Sequence, residues 1–206
     1  MSVRRAIHER GGIYFITLTC RGWHHLFSIT EGYSAVYQWF DYLKSKGHFI
    51  AAYVIMPNHL HALIGFRNSG STINSIIGNG KRFMAYDLVK KLMERKEDNL
   101  LLELASCVNA IERKRGKRHD VFEPSFDWKE CYTDDFIQQK LHYIHDNPCK
   151  GKWNLAERPW DYVHSSARFY AFGEQGVYEV MSYAELKDVD LTEPFAESPA
   201  GDSAKK

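Results

Sequence analysis

Two runs of β-forming residues, HFIAAYVIM (48–56) and HLHALIGF (59–66), are separated by Pro57-Asn58 alone. A two-residue connection returns a strand beside the one it follows, so the pair is expected to form an antiparallel hairpin. Upstream, IYFITLTC (13–20) lies between Gly11-Gly12 and Arg21-Gly22 and reads as a further strand. The stretch from Ser28 to Lys46 carries Tyr33, Val36, Tyr37, Phe40 and Leu43 at helical spacing and stops at Gly47. After the hairpin, RNSGST (67–72) supplies a loop and a cap for a long helix from Ile73 to about Lys96, with Gly78 and Gly80 weakening its first turns.

Residues 97–120 join an apolar patch, LLLELASCV, to the basic run from Arg113 to Arg118, expected as a mobile loop. Residues 121–132 are strand-like around Pro124. Thr133-Asp134-Asp135 then caps a helix carrying Phe136, Ile137, Lys140, Leu141, Ile144 and His145, which Pro148 must end. The order β-α-β-β-α, then strand and helix, predicts an α+β fold with an antiparallel sheet and helices packed on one face. The expected organisation is one domain over residues 1–184, followed by an acidic, partly disordered tail over 185–206.

The 206 residues suit such a domain, and no run approaches the roughly 20 apolar residues that span a bilayer. Four scattered cysteines, Cys20, Cys107, Cys131 and Cys149, read as reduced thiols of a cytoplasmic protein. The formal net charge of +1 hides an asymmetry. Residues 174–206 hold 3 basic and 8 acidic side chains, leaving 24 basic and 18 acidic in the remainder, a net +6. A basic body of that size is compatible with a phosphate-backbone partner, and equally with a solvated charged face.

Within the strand HLHALIGF, side chains alternate, so His59 and His61 share a face while Leu60 takes the other. Two neutral imidazoles so placed suit one divalent metal, with further positions left for oxygen ligands. The spacing alone is cheap in a chain with 10 histidines, and hydrogen-bonded structural histidines are the plain alternative. Tyr143 and Asn147 are four residues apart and stack on one helical face. A tyrosine hydroxyl is a competent nucleophile where a cation lowers the cost of its phenolate, and an asparagine oxygen can complete a metal site. Packing plus one hydrogen bond is the alternative for Tyr143. Ser165-Ser166 beside His164 lacks the G-x-S-x-G elbow of a hydrolase, and no phosphate-cradling glycine loop is present.

The blocks YVIMPNHLHALIG (53–65), QKLHYIHDNPCKGKW (139–153) and HSSARFY (164–170) together resemble the single-tyrosine transposases of small bacterial insertion sequences, in particular their REP-associated tyrosine transposase branch. The resemblance spans roughly residues 11–172. It implies a ferredoxin-like HUH endonuclease in which His59, His61 and Asn147 hold Mg²⁺ or Mn²⁺ and Tyr143 is the nucleophile. The implied substrate is single-stranded DNA beside a hairpin, cut through a 5′-phosphotyrosine by a monomer or homodimer at the bacterial nucleoid. Arg21, Lys81 and Arg82 are candidate DNA contacts, and Trp23 and Trp128 candidate stacking surfaces. One departure is Phe122-Glu123, where that family often has an aromatic-Gln pair. A hairpin-binding protein that no longer cuts is the alternative function, and attack by water in place of tyrosine is a third. On this reading the His59 imidazole faces the surface, so that His59→Ala weakens metal binding and cleavage without unfolding the protein.

Overall fold

A computed structural model of the protein describes residue 7 and residues 9–195. Four strands form one sheet: β1 Gly12–Thr19, β2 Phe49–Met56, β3 His59–Phe66 and β4 Asp127–Glu130. Their order is β2-β3-β1-β4, with every neighbouring pair antiparallel. The hairpin β2–β3 forms at Pro57-Asn58 as its turn residues dictate, and the return strand β3 inserts between β2 and β1. That is the ferredoxin-like order. It makes β1 and β3 the inner strands.

Eight α-helices lie among the described residues: α1 Leu26–Thr30, α2 Tyr33–Ser45, α3 Ile73–Glu94, α4 Asp98–Ser106, α5 Ala110–Lys114, α6 Asp134–Asp146, α7 Ala167–Phe172 and α8 Tyr183–Lys187. The α+β class is as expected, but the helices cover both faces of the sheet instead of one. Alternation along the strands explains why. Tyr14, Ile16 and Leu18 of β1 and Leu60, Ala62 and Ile64 of β3 bury against Val36, Phe40 and Leu43 of α2 and Ile77 and Leu88 of α3. The intervening residues, Phe15 and Leu63, bury on the opposite side with Ile137, Leu141 and Ile144 of α6 and Leu186 of α8. A bulge at Ala51 inserts one extra residue in β2, after which Tyr53 and Ile55 face the first core and Val54 and Met56 the second.

The helix expected over 28–46 is two helices. The chain takes a left-handed turn at Glu31 (φ 50°), and Gly32 follows with no room for a Cβ against the Leu88 side chain of α3. The reciprocal contact is at Gly80, where a Cβ would overlap the indole of Trp39 on α2. The two glycines let α2 and α3 approach closely, so Gly80 serves packing at the expense of helix propensity. Gly80→Ala is expected to destabilise the protein by about 1–3 kcal/mol through overpacking. Gly78, which faces open space, is expected to gain about 0.5–1 kcal/mol when replaced by alanine. Urea unfolding of the two variants measures both; equal midpoints would remove the packing role of Gly80.

The basic run is not a free loop. Asn109 caps α5 by accepting from the Glu112 N–H at 2.9 Å, and Arg113 donates to the Ala105 carbonyl at the end of α4 (2.9 Å). Lys117 bridges Glu112 (3.0 Å) and the buried Asp120 (2.8 Å). Local carboxylates thus absorb part of the charge that the sequence offered to a partner. Residues 185–195, expected within the tail, fold back onto the body: Leu186 and Leu191 are buried, and the Asn68 N–H donates to the Leu191 carbonyl at 3.0 Å. Residues 196–206, the remainder of that tail, lie outside the described residues.

The outer edge of β2 is covered by the chain itself. Ile55 donates to the His164 carbonyl (2.9 Å), Ser166 donates to the Tyr53 carbonyl (3.0 Å), and Met181 donates to the Ile50 carbonyl (3.0 Å).

His48, just before β2, is buried against Phe66, and its Nδ1 accepts the Arg67 backbone N–H at 3.1 Å. Burial lowers its pKa from the ordinary 6.5 to about 4. Between those values the unfolded chain binds a proton that the folded one does not, so stability present above pH 6.5 is lost as pH falls towards 4. The loss is about 1.4 kcal/mol per pH unit for one such group. His48→Asn, which keeps an acceptor and cannot titrate, is expected to flatten that slope in denaturant melts between pH 7 and 4. An unchanged slope would assign the acid sensitivity to other groups.

Candidate active site

His59 and His61 project from the inner strand β3 towards α6, with ring centroids 4.7 Å apart. Their shared face follows from strand alternation, as expected. The surface position expected of His59 is not found: the two rings are only 5% and 4% accessible, so neither faces solvent. Tyr143 of α6 and Trp153 pack over them, with centroids 5.0 Å from His61 and 5.8 Å from His59 respectively. Removing either imidazole therefore opens a buried hole, and His59→Ala is no longer expected to leave stability untouched.

Both rings have Nδ1 engaged. The β1–β3 register places Thr17 opposite His61, and Thr17 Oγ1 lies 2.8 Å from His61 Nδ1. His59 Nδ1 meets Asn58 Oδ1 at 2.6 Å. Asn58 Nδ2 donates to the Trp23 carbonyl at 2.9 Å, which fixes the orientation of the amide. Asn58 Oδ1 is therefore the acceptor, His59 Nδ1 carries the hydrogen, and the Nε2 lone pair of His59 is left for another partner. Burial lowers the His59 pKa to about 4, against a hydrogen bond with Asn147 that raises it. His61 is held well below 6.5 by burial, then by His59 and by the charge of Lys140. Both rings are neutral at pH 7, the form that ligates metal.

Helix α6 begins where Thr133 accepts from the Phe136 N–H (3.3 Å) and carries Asp134 and Asp135 in its first turn. It ends at Asp146, where Asn147 and Pro148 open a 3₁₀ turn. Ile137, Leu141 and Ile144 anchor its inner face. Tyr143 stays 48% exposed, edge-on to Phe15 (5.8 Å) beside His61. His145, on the buried side, has Nε2 3.0 Å from Ser166 Oγ and so ties the helix to the chain covering β2. The structure thus brings His59, His61, Tyr143 and Asn147 together.

Among the described residues no group of three or more His, Cys, Asp or Glu side chains is placed to hold a metal ion, so this cleft offers two imidazoles and a carboxamide. That donor set fits a divalent cation. The rings are neutral, their Nδ1 atoms are oriented by Asn58 and Thr17, and the Asn147 amide is next to His59.

The remaining candidates divide. Trp23 is 58% exposed and 6.0 Å from His59, in a left-handed backbone conformation (φ 58°). Trp128 instead packs against the core, edge-on to Tyr14. Arg21 pairs with Glu123 (3.1 Å) and approaches Asp120 (3.8 Å). Glu123 also accepts the Gly22 N–H at 3.0 Å, so the acidic departure from the aromatic-Gln pair fastens the loop that carries Trp23. Lys81 donates to the carbonyls of Glu123, Pro124 and Ser125, a structural role. Arg82 is exposed, its guanidinium 5.1 Å from the Phe83 ring centroid. Asn58 and Thr17 were missed as site residues. Aligning IYFITLTC antiparallel to HLHALIGF was the signal that could have found Thr17.

An antiparallel four-stranded sheet in this order carries the H-x-H pair on an inner strand, facing the helix that bears Tyr143. No protein-family model matches the sequence, and no curated protein does. Among solved structures, the fold is similar to that of a REP-associated tyrosine transposase bound to a REP hairpin, over 95% of this chain and 99% of that one, at TM-score 0.56 and 17% identity. A protein of Deinococcus radiodurans R1, proposed to be a transposase, aligns over 71% of this chain and 97% of its own at TM-score 0.33 and 14% identity. The fold is that of a REP-associated tyrosine transposase, as the sequence resemblance implied. No helix among the described residues is long and apolar enough to cross a membrane.

Proposed function

We propose that the protein is a metal-dependent single-strand DNA endonuclease and strand transferase acting at hairpin DNA, with Tyr143 as nucleophile. The observation that carries this reading is the half-exposed Tyr143 ring 5.0 Å from the buried imidazole of His61. Support comes from the solved transposase of the same fold, which is bound to a REP hairpin.

His59, His61 and Asn147 would hold Mg²⁺ or Mn²⁺, and the ion, when bound, polarises the scissile phosphate and offsets charge on it. Tyr143 Oη attacks the phosphorus in line, its proton passing to solvent. The bond to the 3′ oxygen breaks, and that oxygen takes up a proton. A 5′-phosphotyrosine remains, and its ester is available to a second 3′-hydroxyl, which restores the phenol. Asn58 and Thr17 hold the imidazole planes. Trp23 offers an exposed face for an unpaired base.

The test is incubation of a 3′-labelled hairpin oligonucleotide with Mn²⁺ and a denaturing gel. The expected result is label migrating covalently with the protein. Multiple-turnover cutting with no adduct would assign attack to water, and hairpin binding without cutting would make the protein a binding module.

A further inference from the structure

Lys140 lies three residues before Tyr143 on the same face of α6. In the folded protein its ammonium is 4.9 Å from the ring centroid of Phe15, 4.9 Å from that of Phe136 and 5.8 Å from that of Tyr143. Phe15 itself stacks on His61 at 5.4 Å. Three aromatic rings therefore surround a cation beside the Tyr143 ring, one of them the ring that stacks on His61. No carboxylate among the described residues forms an ion pair with it.

This arrangement differs from that of Arg21 and Lys81, the cations that the sequence offered for DNA. Arg21 is paired with the Glu123 carboxylate, and Lys81 spends its N–H donors on the carbonyls of Glu123, Pro124 and Ser125. Ring faces attract an ammonium without cancelling its charge, and they are poor hydrogen-bond acceptors. The three N–H donors of Lys140 are thus held in place and left for water or an anion.

We propose that Lys140 is a catalytic residue that donates a hydrogen bond to a non-bridging oxygen of the phosphate attacked by Tyr143. The proposal rests on the nuclease reading above. Negative charge is brought to the phosphoryl group as the phenol oxygen closes on it, and a fixed ammonium offsets that charge with little reorganisation.

The experiment uses Lys140→Met, which keeps the stem, and Lys140→Arg, which keeps the charge. Single-turnover adduct formation with Mn²⁺ is expected to slow about 30- to 100-fold in the methionine variant, with arginine recovering most of the loss. In a Tyr143→Phe background, binding of the same single-stranded oligonucleotide is followed across salt. Lys140→Met is expected to reduce the slope of log K against log salt by about 0.7, the signature of one phosphate contact. Slower adduct formation with an unchanged slope would overturn the phosphate contact, and a reduced slope at full rate would overturn the catalytic role. If the parent protein forms no adduct, the nuclease reading fails, and an unchanged slope then overturns the Lys140 contact independently.

Discussion

Tyr143→Phe abolishes the covalent protein–DNA adduct while hairpin affinity stays within about twofold. Only the phenol oxygen is removed, and the ring keeps its contacts with Phe15 and His61. Because the side chain is half exposed, melting is expected to shift by less than about 0.5 kcal/mol equivalent. Affinity is expected to persist because the substitution leaves untouched the cations available to the backbone and the aromatic faces available to unpaired bases. A denaturing gel with labelled oligonucleotide reads the adduct, and fluorescence anisotropy the affinity. An adduct that persists would move the nucleophile to another exposed tyrosine, Tyr42, Tyr86 or Tyr132. Loss of adduct with equal loss of binding would make Tyr143 a contact residue instead.

The second large effect is expected at Asn58. Its side chain supplies both the acceptor for His59 Nδ1 and the donor to the Trp23 carbonyl, and its own carbonyl accepts the Cys20 N–H at 2.8 Å. Asn58→Ala removes two side-chain bonds at a fully buried position and strands both partners, a cost of about 2–4 kcal/mol. It also frees the His59 ring, so Mn²⁺ affinity is expected to fall about 10- to 100-fold. Asn58→Asp separates the two functions: it keeps the acceptor for His59 and loses the donor to Trp23. Urea unfolding and Mn²⁺ titration of both variants give the answer. Wild-type metal affinity in Asn58→Ala would show that the amide does not orient the ring.

What could be read directly from the chain is what neighbouring residues decide. The β2–β3 hairpin needs only Pro57-Asn58 between two β-forming runs, and the common face of His59 and His61 needs only strand alternation. The limits of α6 were legible because Thr133 and Pro148 are local signals. The features not legible depend on contacts across the fold. The break at Glu31-Gly32 answers to Leu88, more than fifty residues away, and Gly80 answers to Trp39. The histidines are buried because α6 and Trp153 cover the second face of the sheet, which no period in the strand reveals. Lys81 looked available for DNA, and the run beginning at Arg113 looked like a free loop, until folding gave both side chains carbonyl partners. Likewise, the acidic count over 185–206 hid Leu186 and Leu191, whose burial draws residues up to 195 back to the domain.

The self-covered edge of β2 bears on how two copies can meet. His164, Ser166 and Met181 take up its outward-facing hydrogen-bonding groups at Ile55, Tyr53 and Ile50, so no neighbour can add a strand along that stretch. The opposite border, β4, is four residues long and carries Asp127, Lys129 and Glu130, a short and charged template that discourages lateral growth. Sheet continuation and fibril-like stacking are thereby disfavoured at both margins, and self-association is left to helical surfaces.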